Sequence, residues 1–273
     1  MMEYTDQIVE GLKVMLTLFD NAKGVICIED NKPDAIAKMR EAVQNEERIE
    51  VLPLKTKYPQ GGERTLIYAA TGRKIYSAKL PADAGCIVDN VETMIAIKHA
   101  VKDGVPVMKR IATITGDAIT TPSNFLYSMG TPYEQLVEAA GGFKVQPQKL
   151  VSGGPMMGFA IFGLDVPTTK TTSSLLCLGK DEVAEFEPLA CISCGRCVEA
   201  CPEKLIPSRL AKFSEHGQKD EFERWHGLEC IECGSCSYVC QKTSSTQCRV
   251  HEVLSQSVKT MKKLVLADKR KKK

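Results

Sequence analysis

The sequence has no long apolar run. Its most hydrophobic stretches, such as Ile111 to Ile114 and Leu175 to Leu178, are a few residues long, where a membrane-crossing helix needs about 20. No segment of this sequence therefore spans a bilayer. A secretory leader is missing too: near the N-terminus Ile8, Leu12, Met15 and Phe19 form an apolar face, but Glu3, Asp6, Glu10 and Lys13 interrupt it and no small-residue cleavage site follows. That stretch reads as an amphipathic helix. An excess of either charge is lacking, with a net charge of only +2, so nothing in the overall balance points to nucleic acid. His99, His216, His226 and His251 are scattered, with no HxxxH pair and no carboxylate at ligand spacing. The sequence also shows no Ser-His-Asp or Cys-His arrangement, no complete P-loop and no GxGxxG.

What is present begins with enough chain for one large domain or two to three smaller ones: 273 residues, 43% hydrophobic and 26% charged, the profile of a soluble globular protein. It also has twelve cysteines. Without a leader the expected compartment is the reducing cytosol, where cysteines serve as metal ligands or buried side chains before they form disulfides. The last residues, Lys269 to Lys273, read as a basic, solvated tail, with an anionic lipid or an acidic partner as the alternative.

Residues 24 to 54 follow a βαβ pattern. Val25 to Ile28 is a β-branched run, Asn31 can cap a helix with Pro33 in its first turn, Ala35 to Val43 continues that helix, and Ile49 to Leu54 is a second strand. Such alternation implies a parallel sheet. A polar loop with Tyr58, Pro59, Gly61 and Gly62 follows, then a helix-like stretch to about Ser77, and a further helix at Asn90 to His99. From Val105 to Thr115 the pattern turns to short strands punctuated by Gly116-Asp117, Pro122, Gly130, Gly141-Gly142 and Gly153-Gly154, with Pro132 to Ala140 as one helix among them. Leu150 to Lys180 is rich in Gly, Thr and Ser and its elements have no clear order. From Pro188 cysteine density rises.

Cys191, Cys194, Cys197 and Cys201 are spaced CxxCxxCxxxC with Pro202 next, and the spacing recurs at Cys230, Cys233, Cys236 and Cys240. A four-iron cubane needs four thiolates around a compact core, and three cysteines two residues apart can wrap one corner of it. In two-cluster ferredoxins the last cysteine of each motif serves the other cluster. The predicted [4Fe-4S] sets are therefore Cys191, Cys194, Cys197 and Cys240, and Cys230, Cys233, Cys236 and Cys201. Gly195 and Gly234 each follow a second ligand and allow a tight backbone. The segment between the motifs, with Leu210, Phe213 and Phe222 in periodic array, suggests a mostly helical two-cluster module. The competing reading of paired CxxC units is a zinc site of four cysteines stabilising an interaction domain. Of the remaining cysteines, Cys27, Cys86 and Cys177 lie in apolar runs and read as small core residues. Cys248 sits in a polar stretch.

Several segments ahead of and within this module, KYPQGGERTLIYAATGR, LPADAGCIVDNVET, TITGDA, SGGPMMG, DVPTTK and CISCGRCVEACP, resemble RnfC, the peripheral member of the ion-translocating Rnf electron-transport complex. The resemblance covers nearly the whole chain apart from residues 241 to about 256. It implies a flavin domain shared with the NADH-oxidising subunit of respiratory complex I, with Tyr58, Gly61, Gly62 and Glu63 in one FMN-lining loop and Asp89, Asn90 and Thr93 in a second segment. Read by themselves these residues are equally a turn and a helix cap. Glycines would let backbone N–H groups approach the flavin or its phosphate.

The expected fold is therefore α/β, a partial flavin-binding βαβ domain at 1–103, then a small β-grasp-like domain at 104–160, a connection at 161–187, a mostly helical two-[4Fe-4S] ferredoxin-like module at 188–256 and a basic tail at 257–273. The resemblance further implies an electron-transfer subunit of an NAD(H):ferredoxin oxidoreductase coupled to ion translocation, exchanging electrons among NAD(H), FMN and two clusters. Its partners would be the membrane subunits of that complex and ferredoxin, and its place the cytoplasmic side of the cell membrane, peripherally bound. Two departures stand out. The sequence begins after the place where a glycine-rich FMN-phosphate loop is expected, which predicts an N-terminally shortened copy with a half-built flavin pocket. Gln241 replaces the usual proline after Cys240. A cluster-only electron relay is the alternative function.

Overall fold

The computed structural model describes residues 1–77, 79–155, 157–181, 191–240 and 250–271. Gln241, the KTSSTQCRVHEV stretch up to residue 249, Cys248 and the boundary at 187/188 lie outside the described residues, and the side chains of 250–257 are not described. The chain divides into two compact units, Met1–Val107 and Met108–Lys273.

In the first unit the βαβ reading holds. Strand β1 (Gly24–Glu29) and β2 (Ile49–Leu54) pair in parallel, from Gly24 opposite Ile49 to Glu29 opposite Leu54. Alternate residues of β1, Ile26 and Ile28, are buried, as a half-covered strand requires. Helix α2 (Pro33–Ala42) connects them and buries Ala35, Ile36 and Met39. Its N-cap is Lys32 and not Asn31, and no side chain caps it, since Pro33 already occupies a position where a donor is not needed. Helix α1 (Thr5–Leu16) buries Ile8, Val9 and Leu16; Phe19, expected on that face, lies past the helix end and is exposed. Arg48 ties this end down, its guanidinium donating to the carbonyls of Leu16 at 3.2 Å and Ala22 at 2.9 Å. Helix α3 (Glu63–Thr71) stops at the left-handed Gly72, short of the expected Ser77. Helix α4 (Val91–Lys102) packs on α1. His99 on α4 meets the Gln7 side chain of α1 at 3.0 Å.

The second unit opens with a five-stranded sheet in the order β4-β3-β7-β5-β6, built from β3 (Lys109–Thr115), β4 (Ser123–Ser128), β5 (Lys149–Ser152), β6 (Phe159–Ile161) and β7 (Ser174–Leu178). Helix α5 (Tyr133–Ala139) covers it with Tyr133, Leu136 and Val137. The segment 161–187, expected as a connection, instead supplies the central strand: β7 runs parallel to β3 and antiparallel to β5. Its Leu175 and Cys177 are fully buried, so this module extends well past residue 160. The Thr-rich run ahead of β7 joins a buried polar network, with the Tyr127 hydroxyl donating to the Thr172 carbonyl at 3.0 Å and Tyr133 Oη at 2.6 Å from Ser152 Oγ.

Among the described residues the cysteine-rich remainder is helical: α6 (Arg196–Glu199), α7 (Pro207–Glu215), α8 (Lys219–Arg224), α9 (Ser235–Val239) and α10 (Val250–Lys271). Leu205, Leu210, Phe222, Val258, Met261 and Val265 form its core. The expected basic tail at 257–273 is overturned here. Val258, Met261 and Val265 recur at helical spacing and put an apolar stripe of α10 against α7, while Lys219–Asp268 and Lys269–Glu223 pairs, each at 2.5 Å, flank it.

Candidate functional site

The two cysteine motifs fold alike. In each, the third residue of the loop has a left-handed backbone, Ser193 at φ 56° and Glu232 at φ 60°. The glycine after the second cysteine does too, Gly195 at φ 79° and Gly234 at φ 76°. Each glycine then starts a short helix, α6 or α9. Two left-handed residues within three positions curl the chain and turn its N–H groups inward. Only glycine takes such a conformation without steric cost. The third cysteine, Cys197 or Cys236, lies in the helix and the fourth, Cys201 or Cys240, just past its end.

One cavity is lined by Cys201 from the first motif and Cys230, Cys233 and Cys236 from the second. Leu205, Pro207, Leu210 and Val258 supply its apolar wall. These four cysteines are the set predicted from the crossing of motifs. Leu205 N–H donates to Cys201 Sγ and Glu232 N–H to Cys230 Sγ, both at 3.4 Å, the backbone-to-sulfur bonds that steady a ligating thiolate. Burial pushes the thiols of Cys201 and Cys230 up and that of Cys236 to about 12, and each also faces neighbouring cysteines of the set. Crowding and burial make the thiols of Cys201, Cys230 and Cys236 resist ionisation, so a cationic iron core is the kind of partner that would make them stable as thiolates. Among the described residues no three His, Cys, Asp or Glu side chains stand close enough to share a single metal ion; a four-iron cube gives each thiolate its own iron. The residues present fit such a group.

The other predicted set is less enclosed. Cys191 and Cys194 are exposed, and Cys197 and Cys240 are half-buried. Ile192 and Tyr238, beside this set in sequence, are also exposed. Helices α6 and α9, which carry Cys197 and lead to Cys240, pack together. None of the described cysteines is in a disulfide. Cys177 is a buried core thiol, pushed up to about 11 by burial, whereas Cys27 and Cys86 are only partly buried.

The predicted flavin segments lie at two helix starts in the first unit. Gly62 is the N-cap of α3 and Glu63 its first residue, with Tyr58 and Gly61 exposed just ahead. A Cβ on Gly62 would meet Thr65 Oγ1 at 3.0 Å, which accounts for that glycine within the chain. At Gly61 a Cβ would meet nothing within 4 Å and φ is not positive, so no described residue requires a glycine there. Asn90 caps α4, its Oδ1 accepting from Glu92 N–H at 3.0 Å, and Thr93 sits in the same first turn with its N–H on the Asn90 carbonyl at 2.9 Å. Asp89 is exposed. Helix starts suit phosphate or a flavin edge, but the Gly62, Glu92 and Thr93 amides already donate within the chain, to the Pro59 carbonyl, Asn90 Oδ1 and the Asn90 carbonyl.

Sequence reasoning missed α10. Val258 lines the cysteine cavity, and Lys262 Nζ donates to the Cys230 carbonyl at 2.7 Å. The signal was available in the apolar spacing of Val258, Met261 and Val265, but the lysines between them disguised it.

Family profiles match in the same order as these modules: the Nuo51 FMN-binding domain over residues 1–99, the SLBB domain over 111–160 and the 4Fe-4S dicluster domain over 190–244. The chain is 45% identical over 211 residues to the C subunit of the proton-translocating ferredoxin:NAD(+) oxidoreductase complex of Clostridium ljungdahlii, covering 77% of this chain and 46% of that protein. It is 44% identical to the C subunit of the Na(+)-translocating ferredoxin:NAD(+) oxidoreductase complex of Acetobacterium woodii, covering 79% and 48%. To the C subunit of the ion-translocating oxidoreductase complex of Yersinia pestis it is 40% identical, covering 78% and 35%. The chain thus spans about half the length, or less, of these relatives. Its fold is shared with a chain in the crystal structure of NAD+-reducing [NiFe]-hydrogenase in the H2-reduced state, at TM-score 0.58 and 14% identity, covering 94% of this chain and 52% of that one.

Proposed function

The chain belongs by sequence with the C subunits of ion-translocating ferredoxin:NAD(+) oxidoreductase complexes, and from that kinship we propose that it is an electron-transfer subunit of such a complex. The observation that carries the proposal is the cavity in which a cysteine of one motif joins three of the other, the crossed ligation of a two-cluster ferredoxin. Cys201, Cys230, Cys233 and Cys236 hold one [4Fe-4S] cluster, and Cys191, Cys194, Cys197 and Cys240 hold the second. Crossing ties the motifs together and keeps the two clusters near enough for electrons to pass.

In the first unit Gly61, Gly62 and the amides at the start of α3 bind FMN, with Tyr58, Glu63, Asp89, Asn90 and Thr93 around it. Bound FMN would convert the hydride chemistry of NAD(H) into single-electron transfer, and the clusters would carry those electrons onward. The chain's own work is to place the cofactors, exclude water from the thiolates and supply N–H donors to sulfur. Its partners in this reading are ferredoxin or NAD(H) and the other subunits of the complex, and it binds the cytoplasmic side of the membrane peripherally. No described helix is long and apolar enough to cross a membrane.

A cluster-only relay is the second reading, favoured by Asn90, whose side chain is already occupied in capping α4. One anaerobic preparation separates the two. The enzyme reading expects about eight irons and eight sulfides per chain, bound flavin, and bleaching of both chromophores by NADH. Clusters without flavin would establish the relay. A colourless preparation without inorganic sulfide would overturn both.

A further inference from the structure

Helix α10 takes no part in the cysteine motifs, yet it completes the cavity that four of those cysteines line. Val258 contributes to the wall, and one turn later Lys262 donates to the Cys230 carbonyl at 2.7 Å. The same ammonium stands 3.6 Å from Glu232 Oε1, and Lys259 stands 3.6 Å from Glu232 Oε2. Glu232 is the left-handed residue between Cys230 and Cys233, and its N–H donates to Cys230 Sγ. Lys262 is well shielded, its side chain 17% exposed, so its charge is weakly screened.

We propose that Lys262 is a positioning residue of the cluster held by Cys201, Cys230, Cys233 and Cys236, fixing the Cys230–Glu232 turn and raising that cluster's reduction potential above what the turn alone would set. The inference rests on the two-cluster reading above. Lys262 puts a positive charge at this loop, beside a centre that becomes more negative when it gains an electron. Favourable Coulomb energy is therefore larger in the reduced state. Glu203, which also lines the cavity, and Glu232 itself act in the opposite sense.

The test is a potentiometric titration of the full chain with both clusters assembled, followed by electron paramagnetic resonance, after iron and sulfide have been counted. Lys262→Met is expected to lower one midpoint by about tenfold in the reduction equilibrium, 59 mV for one electron, and to leave the other in place. Lys262→Arg should restore it. The midpoint that moves should belong to the cluster lost in Cys236→Ser. Glu232→Gln reads the same charge from the other side and should move that midpoint upward, which keeps the proposal testable if Lys262→Met fails to retain the cluster. Two clusters with unmoved midpoints in Lys262→Met, or in Glu232→Gln where the former loses its cluster, would overturn the role of Lys262 alone. Wild-type protein without iron or sulfide would instead overturn the site itself.

Discussion

The two cysteine motifs have the same spacing, the same pair of left-handed residues and the same short helix after the glycine, yet they live in different surroundings. The set completed by Cys201 lines a cavity walled by Leu205, Leu210 and Val258. The set completed by Cys240 includes the exposed Cys191 and Cys194. The difference arises outside the motifs, from residues of α7 and α10 that wall the cavity of one set. Spacing can specify who ligates, but the elements packed around a ligand decide its dielectric and its access to water, and hence what a bound cluster would do.

The most decisive way to break this comparison is by ligand deletion. Cys201→Ser and Cys236→Ser should abolish the same cluster although they belong to different motifs, and Cys194→Ser should abolish the other. Each should halve iron and sulfide, with Cys201→Ser and Cys236→Ser leaving one common resonance spectrum. If Cys201→Ser matched Cys194→Ser instead, the crossing would be wrong.

Removing the packing behind the enclosed set comes next. Phe222 is fully buried in the core that α7 and α10 share, so Phe222→Ala should cost about 3–5 kcal/mol in chemical unfolding of the cysteine module. Its enclosed cluster should then be destroyed by air about as fast as the exposed one, which in the wild type should be lost first.

Smaller and symmetric effects are expected at the glycines. Gly195→Ala and Gly234→Ala each force a side chain into a left-handed backbone with open space around it, a cost of about 1–2 kcal/mol. Near-equal costs in thermal melts would show that the likeness of the motifs is local.

The smallest effect is in thiol chemistry of the protein before cluster assembly. Burial raises the Cys236 thiol to about 12, so its thiolate is scarce at neutral pH and its alkylation should climb steadily as pH rises towards that value. Mass spectrometry should find Cys191 and Cys194 alkylated first at pH 8. The sign for stability follows: a thiol with a raised folded value favours the folded state below the ordinary value of 9.0, and that contribution is lost as pH rises through about 12.

Much of this was legible beforehand. The βαβ unit could be read because β-branched runs and a Pro33 helix start are local signals, and both strands appear at the expected places. Asn90 as a cap and Pro132 to Ala140 as a helix were equally local. Strand β7 was hidden because its partners, β3 and β5, are distant in sequence and its flanks are Thr-rich, so nothing nearby announced a pairing. Phe19 misled because helical periodicity continues past Leu16 while the helix does not.

The sequence by itself determined the eight cysteines, their grouping in two equal motifs and the glycines that let each loop curl, because these depend on spacing and on single-residue backbone freedom. Only the tertiary structure decided that the basic end of the chain is a packed helix and that Lys262 sits on the Cys230 turn. It alone decided that one set of thiols is enclosed while the other faces solvent. Enclosure is a property of surfaces brought together from far along the chain, and no local pattern encodes which surfaces will meet.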